Sequence, residues 1–180
     1  SALWVIRFLS GKKALLKLRK KNIRIDLGLT KSIIGLGTSA SVAEDASNKF
    51  LRAGCNSSAY SDTHMQMIAV SQLKEGDCLI GISQSGTSKD IVEAMKTAKS
   101  RGAVTVAITS RERSPLTRQS DVVLLTDTEE TRHSSLGLNS HISRLVVIDS
   151  LCYKIVYQNS ERAFNIGEGD AELKSKRIAE

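Results

Sequence analysis

The hydrophobic positions of this chain change their period along its length. From Ser32 onward, short apolar runs alternate with longer segments in which apolar residues recur every three or four positions. The runs are Ile33-Ile34-Gly35-Leu36-Gly37, Cys78-Leu79-Ile80-Gly81-Ile82, Ala103 to Thr109 and Asp121 to Thr126, with a weaker one at Ser57-Ser58-Ala59-Tyr60. Short apolar runs bounded by turn residues read as buried strands. Between them, Val42, Ala43, Ala46, Phe50 and Ala53 share one helical face, and Ile91, Ala94, Met95 and Ala98 share another. A short helix is expected from about His64 to Gln72. Ser41 followed by Glu44 matches a capping box for the first helix, and Gly54 is its expected stop. A long helix is expected from about Asn139 to Gln158. Its apolar residues, Ile142, Leu145, Val146, Ile148, Leu151, Cys152, Ile155 and Val156, cover more than one face. Such a helix packs on its own sheet and on a second copy of the chain, which predicts a homodimer.

The alternation of strand and helix, without hairpin signals, specifies an α/β fold. Five parallel strands are covered by helices on both faces, a three-layer αβα sandwich. Sheets of this kind bind ligands beyond the carboxyl ends of their strands, where the strand order reverses. Two loops rich in hydroxyls lie at that edge, one after Gly37 and one after Ile82.

Charge changes the picture at one end only. Residues 1–31 carry nine Lys or Arg against a single acid, Asp26, whereas the rest carries 17 basic and 18 acidic side chains. The net +7 therefore belongs to an N-terminal segment, read over residues 1–25 as one or two basic helices. It fits either a neighbouring polyanion or a solvated helix face. The division expected is a basic helical segment over 1–31, the α/β domain over 32–160 and a helix or tail over 161–180. No apolar run approaches the roughly 20 residues that span a bilayer. Cys55, Cys78 and Cys152 form no C-x-x-C pair and read as free thiols of a reducing cytosol. No metal site is expected, and the location expected is cytoplasmic.

The second loop carries the chemistry. In Ser83-Gln84-Ser85-Gly86-Thr87-Ser88-Lys89-Asp90, a strand ends in small hydroxyl residues, turns at a glycine and enters a helix. Helix N-termini favour negative charge, and the hydroxyls of Ser83, Ser85, Thr87 and Ser88 add neutral donors. A phosphate monoester suits this loop. The first loop admits a rival reading, because Gly35-Leu36-Gly37-Thr38-Ser39-Ala40 fits G-x-G-x-x-A and Asp62 stands where a ribose-binding acid would lie. A dinucleotide site has no need of a second serine-rich anion loop, whereas two converging hydroxyl loops suit one compact phosphate. No nucleotide or other cofactor is therefore expected.

Together these motifs resemble the SIS (sugar isomerase) domain over residues 32 to about 160. Gly35-Leu36-Gly37-Thr38-Ser39 and Ile82-Ser83-Gln84-Ser85-Gly86-Thr87-Ser88 carry the likeness. The resemblance implies a flavodoxin-like fold in which Ser83, Ser85 and Ser88 hold the phosphate of a phosphosugar, with Gln84 and Thr87 close by and Ser39 contributing from the first loop. Within that family the chain is most similar to the effector domain of RpiR-type bacterial transcription regulators. The stretches Val42 to Ala46, Lys49 to Gly54, Asp62 to Gln66 and Ser143 to Asp149 support this. The likeness implies a phosphosugar sensor, a homodimer or dimer of dimers, and DNA binding only through a helix-turn-helix domain. No such domain is legible in residues 1–31.

An isomerase of the same family would need a base at the C2 proton and a group assisting ring opening. Glu44, Lys49, His64, Glu129, Glu130, His133 and His141 are the candidates, and none forms a matched acid–base pair. No catalytic residue is therefore assigned. Thr38, Lys49, His64 and His133 are carried forward as further pocket candidates.

Overall fold

The computed structural model describes residues 30–126 and 138–158. The basic N-terminal helices, Glu129, Glu130, His133 and the C-terminal tail lie outside the described residues. The five apolar runs form β1 (Lys31–Gly35), β2 (Ser57–Tyr60), β3 (Cys78–Ile82), β4 (Val104–Thr109) and β5 (Val122–Leu125). Helices α1 (Thr38–Arg52), α2 (Thr63–Ser71), α3 (Lys89–Ser100), α4 (Pro115–Arg118) and α5 (Leu138–Gln158) connect or follow them.

The strands pair in the order β2-β1-β3-β4-β5, and every pairing is parallel. The chain leaves β1 toward β2, then returns across β1 to build the rest of the sheet on its other side. The order thus reverses between β1 and β3, at the place expected. Register sets the two strands level, with Gly35 opposite Ile82. Both loops consequently leave the sheet from the same height.

Because successive strand residues point to opposite faces, the core divides into two layers. On one face Ile33, Ile80, Ile82, Ile108 and Leu124 pack under α1 and α5, through Val42, Phe50, Ile148 and Leu151. On the other, Ile34, Leu79 and Ala107 pack under α2, α3 and α4, through Val70, Ile91, Met95 and Leu116. Each large side chain so buried contributes about 1.5–3 kcal/mol relative to exposure.

Two details depart from expectation. β1 begins at Lys31, which the charge division placed in the basic segment. Its side chain is buried, and its backbone pairs with Ser57 and Cys78. The expected capping box at Ser41 is also absent. α1 starts four residues earlier, with Gly37 as N-cap at φ 57° and no side-chain cap. That left-handed turn sends the chain straight from strand to helix, so Ser41 falls within the first turn and donates to the Thr38 carbonyl at 2.9 Å.

Carboxylates tie down the opposite, amino edge of the sheet. Asp77 accepts from the Thr30 and Lys74 amides, each at 2.9 Å. Asp121 accepts from the Thr105 amide at 3.0 Å and hydroxyl at 2.9 Å, and pairs with Lys99 at 3.1 Å. Burial raises the Asp121 pKa, but the Thr105 hydrogen bonds and Lys99 outweigh it, so the carboxyl lies below its ordinary value. All three thiols are free. Burial pushes each upward, Cys78 to about 12.

Candidate functional site

The site is built where β1 and β3 end. After Gly35 the chain takes two residues to reach α1, and after Ile82 it takes six to reach α3. Both helices start above the carboxyl edge and neither N-cap makes a side-chain cap hydrogen bond. The first amides of a helix lack intrahelical acceptors. In α1 the Ser39 and Ala40 amides already donate to Leu36 and Gly37 carbonyls at 3.1 and 3.0 Å. The first helical hydrogen bond of α3 is donated by Val92 to Ser88 at 3.0 Å, which places its donor-rich turn at Lys89–Ile91. The second loop thus leads into the helix start with more amides lacking a local acceptor.

That loop is held from below. The Ser83 amide donates to the Ile108 carbonyl at 3.1 Å, and the Gln84 carbonyl accepts from the Ser110 amide and hydroxyl at 3.1 and 2.8 Å. The Thr109 hydroxyl donates to the same carbonyl at 3.1 Å. Gly86 is buried at φ 64°, and its carbonyl accepts from the Leu116 amide at 3.0 Å. A Cβ at this position would lie 2.3 Å from the Ser114 hydroxyl oxygen, so glycine is required by space as well as by backbone angle. Above these anchors, Ser83 sits almost buried at the base, while Ser85 and Thr87 stand exposed. Their hydroxyls are 2.8 Å apart, and Ser85 Oγ also accepts from the Thr87 amide at 3.3 Å. Ser88 is half-buried at the helix start.

The structure joins the two loops through a group the sequence reading passed over. Arg144 of α5 is 1% exposed. Its Nη1 donates to Ser39 Oγ at 2.7 Å and its Nε to the Ser140 carbonyl at 3.0 Å. Ser140, fully buried, donates its hydroxyl to Gln84 Oε1 at 2.9 Å. Ser39, Gln84 and α5 therefore form one connected unit. A signal for Arg144 was present in the pattern. It shares a helical stripe with Ile148, Leu151 and Ile155, so a charged residue stands on the core face of the helix, where charges are rarely fully buried without partners.

The remaining candidates separate by position. Thr38 is exposed at the start of α1, on the same edge. His64 is exposed in the first turn of α2, which follows the carboxyl end of β2. Lys49 does not join them. It stands 11 residues along α1, about 16 Å down the axis, where it bonds to Asp45 at 2.8 Å and to Asp149 of α5. Burial opposes its charge, but the two carboxylates outweigh that and raise its pKa. Glu44 is exposed, and His141 is half-buried beside Ser140. Asp62, the acid of the dinucleotide reading, caps α2 by accepting from the Met65 amide at 2.9 Å. A second buried group, Gln66, donates its amide to the Tyr60 and Gly35 carbonyls at 2.9 and 3.2 Å, bracing the first loop.

A parallel, doubly wound sheet with its candidate site at the strand-order reversal defines the class. The family is given by comparison. The SIS domain profile matches residues 13–153, and this chain belongs to the SIS domain family. An uncharacterized HTH-type transcriptional regulator of Caldanaerobacter subterraneus subsp. tengcongensis is 38% identical over 143 residues, covering 79% of this chain and 51% of that protein. The bifunctional protein glk of Burkholderia orbicola is 34% identical over 142 residues, 79% of this chain and 22% of that protein. The chain thus spans about half the length of the first relative and a smaller share of the second. Among solved structures, the Vibrio vulnificus NanR protein complexed with ManNAc-6P superposes with a TM-score of 0.76 at 22% identity, over 97% of this chain and 70% of that one. The sugar isomerase domain of an RpiR transcription factor from Sphaerobacter thermophilus also gives 0.76 at 22% identity, over 94% and 96%. These two likenesses establish the shared fold.

Proposed function

We propose that this chain is the phosphosugar-sensing effector domain of an RpiR-type transcription regulator. The observation that carries the reading is the pair of hydroxyl loops at the β1/β3 switch point, with the Ser83–Ser88 loop running into the N-terminus of α3. Ser83, Ser85 and Ser88 hold the phosphate, Gln84 and Thr87 lie against it, and Ser39 donates from the first loop. The regulator names among the relatives favour a sensor over an isomerase. Lys49, an isomerase candidate, is engaged with two carboxylates well away from the loops. In the whole protein, DNA is reached through a helix-turn-helix domain, and the location is the cytoplasm. Among the described residues no helix is long and apolar enough to cross a membrane.

The same reading includes self-association through α5. Ile142, Val146 and Tyr153 lie on its outer side at 57%, 40% and 71% exposure, one apolar stripe beside the layer that covers the sheet. A homodimer, or a dimer of dimers, covers that stripe.

The test is a thermal-shift screen with ManNAc-6P, glucose 6-phosphate and inorganic phosphate, with NAD as a control, followed by calorimetry on Ser83→Ala and Ser85→Ala. Each substitution removes a hydrogen bond to a charged group and should cost about 1.5–3 kcal/mol of binding. Unchanged affinity in both variants would sink the phosphate-loop assignment. Conversion of a bound sugar phosphate into its ketose or aldose isomer would replace the sensor with the enzyme. A shift with NAD alone would restore the dinucleotide reading.

A further inference from the structure

Resting on the phosphate reading of the two loops, we infer that Arg144 is a positioning residue that fixes both loops to α5 and makes that helix respond to their occupancy. The geometry has a direction. An arginine can only donate, so the Ser39 hydroxyl, which accepts from Arg144 Nη1 at 2.7 Å, must turn its own proton elsewhere. The guanidinium thereby holds Ser39 as a donor. The second branch runs the same way. Ser140 Oγ lies 3.4 Å from Arg144 Nη2, and its proton goes to Gln84 Oε1 at 2.9 Å. That bond sets the Gln84 amide with its oxygen toward α5 and its NH₂ turned away from it. The bonds from Arg144 Nη1 to Ser39 and from the Ser140 hydroxyl to Gln84 thus run outward from the buried cation toward the two loops, the polarity an anion requires. Nε anchors the guanidinium to the Ser140 carbonyl of its own helix.

The network also bears on movement. Ser39, Ser140 and Arg144 are all buried, and the members of a buried polar network are energetically coupled and hold one another rigidly. The backbone of Gln84 is pinned to the end of β4 through Thr109 and Ser110. Its side chain is pinned to α5 through Ser140. Drawing Ser39 and the Ser83–Ser88 loop toward a shared phosphate therefore pulls on Ser140 and Arg144 from two sides, and the first turns of α5 take up the displacement.

The test is an amide NMR titration of the full chain with inorganic phosphate, using wild type, Arg144→Met, Arg144→Lys and Ser140→Ala. In wild type the amides of Ser39, Ser83–Ser88 and Ser140–Ser143 should shift with one midpoint. Arg144→Met should raise the midpoint roughly tenfold, the equivalent of about one buried hydrogen bond, and silence the α5 shifts. Arg144→Lys keeps the charge but loses the fork, so it should recover part of the affinity and not the α5 response. Ser140→Ala removes one hydroxyl from a helix and retains the core. It should leave Ser39 responsive while separating the Ser83–Ser88 shifts from those of α5, which keeps the inference open to refutation should Arg144→Met not fold. A role in stability alone would lower Tm and leave the wild-type midpoint and coupled shifts intact. That result would overturn the inference, as would loop shifts in wild type without any in α5. If Ser39 and Ser83–Ser88 themselves stay still in wild type, the phosphate reading falls and the inference with it.

Discussion

Gly86→Ala separates two effects that the structure superimposes at one position. The first is backbone strain, because φ 64° is the left-handed region, which costs a residue with a Cβ about 1–2 kcal/mol. The second is a collision. The new Cβ would stand 2.3 Å from Ser114 Oγ and 2.6 Å from Ser114 Cβ. Ser114 cannot yield freely, because it is the N-cap of α4 in a reciprocal capping box with Thr117. Displacing such a cap costs about 1 kcal/mol more. Together these give roughly 2–3 kcal/mol of lost stability. Urea unfolding reads the total, and a Ser114→Gly background divides it. With no side chain at 114 the collision with Ser114 disappears, and Gly86→Ala should then cost the backbone component and whatever the tight 3.2 Å approach to Thr109 Oγ1 adds. The two substitutions should therefore couple by about 1 kcal/mol or more. A cost equal in both backgrounds to within about 0.5 kcal/mol would refute the claim that Ser114 closes this space.

Two further outcomes follow from ionisable groups at the other edge of the sheet. Asp121 has a folded pKa below its ordinary 3.8, so its contribution is fully present above that value and is lost as pH falls through the folded pKa. Urea midpoints of wild type and Asp121→Asn should thus differ at pH 6 and converge toward pH 2. Parallel curves would remove Asp121 from the acid limb. Cys78, pushed by burial to about 12, holds roughly one part in 10⁴ as thiolate at pH 8. It should resist Ellman's reagent in the native protein, with Cys152, only half-buried, reacting ahead of it. Prompt labelling of Cys78 would contradict the packing described for β3.

Much of the fold was legible because the signals were local. Cys78–Ile82 and Ser57–Tyr60 emerge as strands with the bounds their composition suggests, and the switch point follows from the alternation of elements. What local pattern could not settle was how the chain enters α1. The Ser41–Glu44 pairing satisfies a capping rule, but Gly37 takes the left-handed turn first and starts the helix before that rule applies. Lys31 was counted with its charged neighbours in sequence, whereas its backbone belongs to a strand pairing with residues 57 and 78. The candidate site divided in the same way. The loop hydroxyls are adjacent in the chain and were visible as a motif. The Arg144–Ser39 contact spans 105 positions, and only the misplaced charge on an inward helical stripe hinted at it. Lys49 shows the opposite case, because its chemistry suggests a pocket while helical rise carries it 11 residues along α1, where it pairs with Asp45 and Asp149.

The level ending of β1 and β3 also bears on when the site comes into being. Gly35 and Ile82 meet only after the intervening α1, β2 and α2 have been looped out, so the two halves of the candidate cradle are brought together by one of the sheet's non-local pairings. Loop closure of that kind is costly before contacts reward it, and it slows the folding of parallel sheets. A molecule gripping both loops has nothing to grip until that pairing exists. It would therefore leave the rate of folding nearly untouched and act on the rate of unfolding, lengthening the life of a native chain already formed.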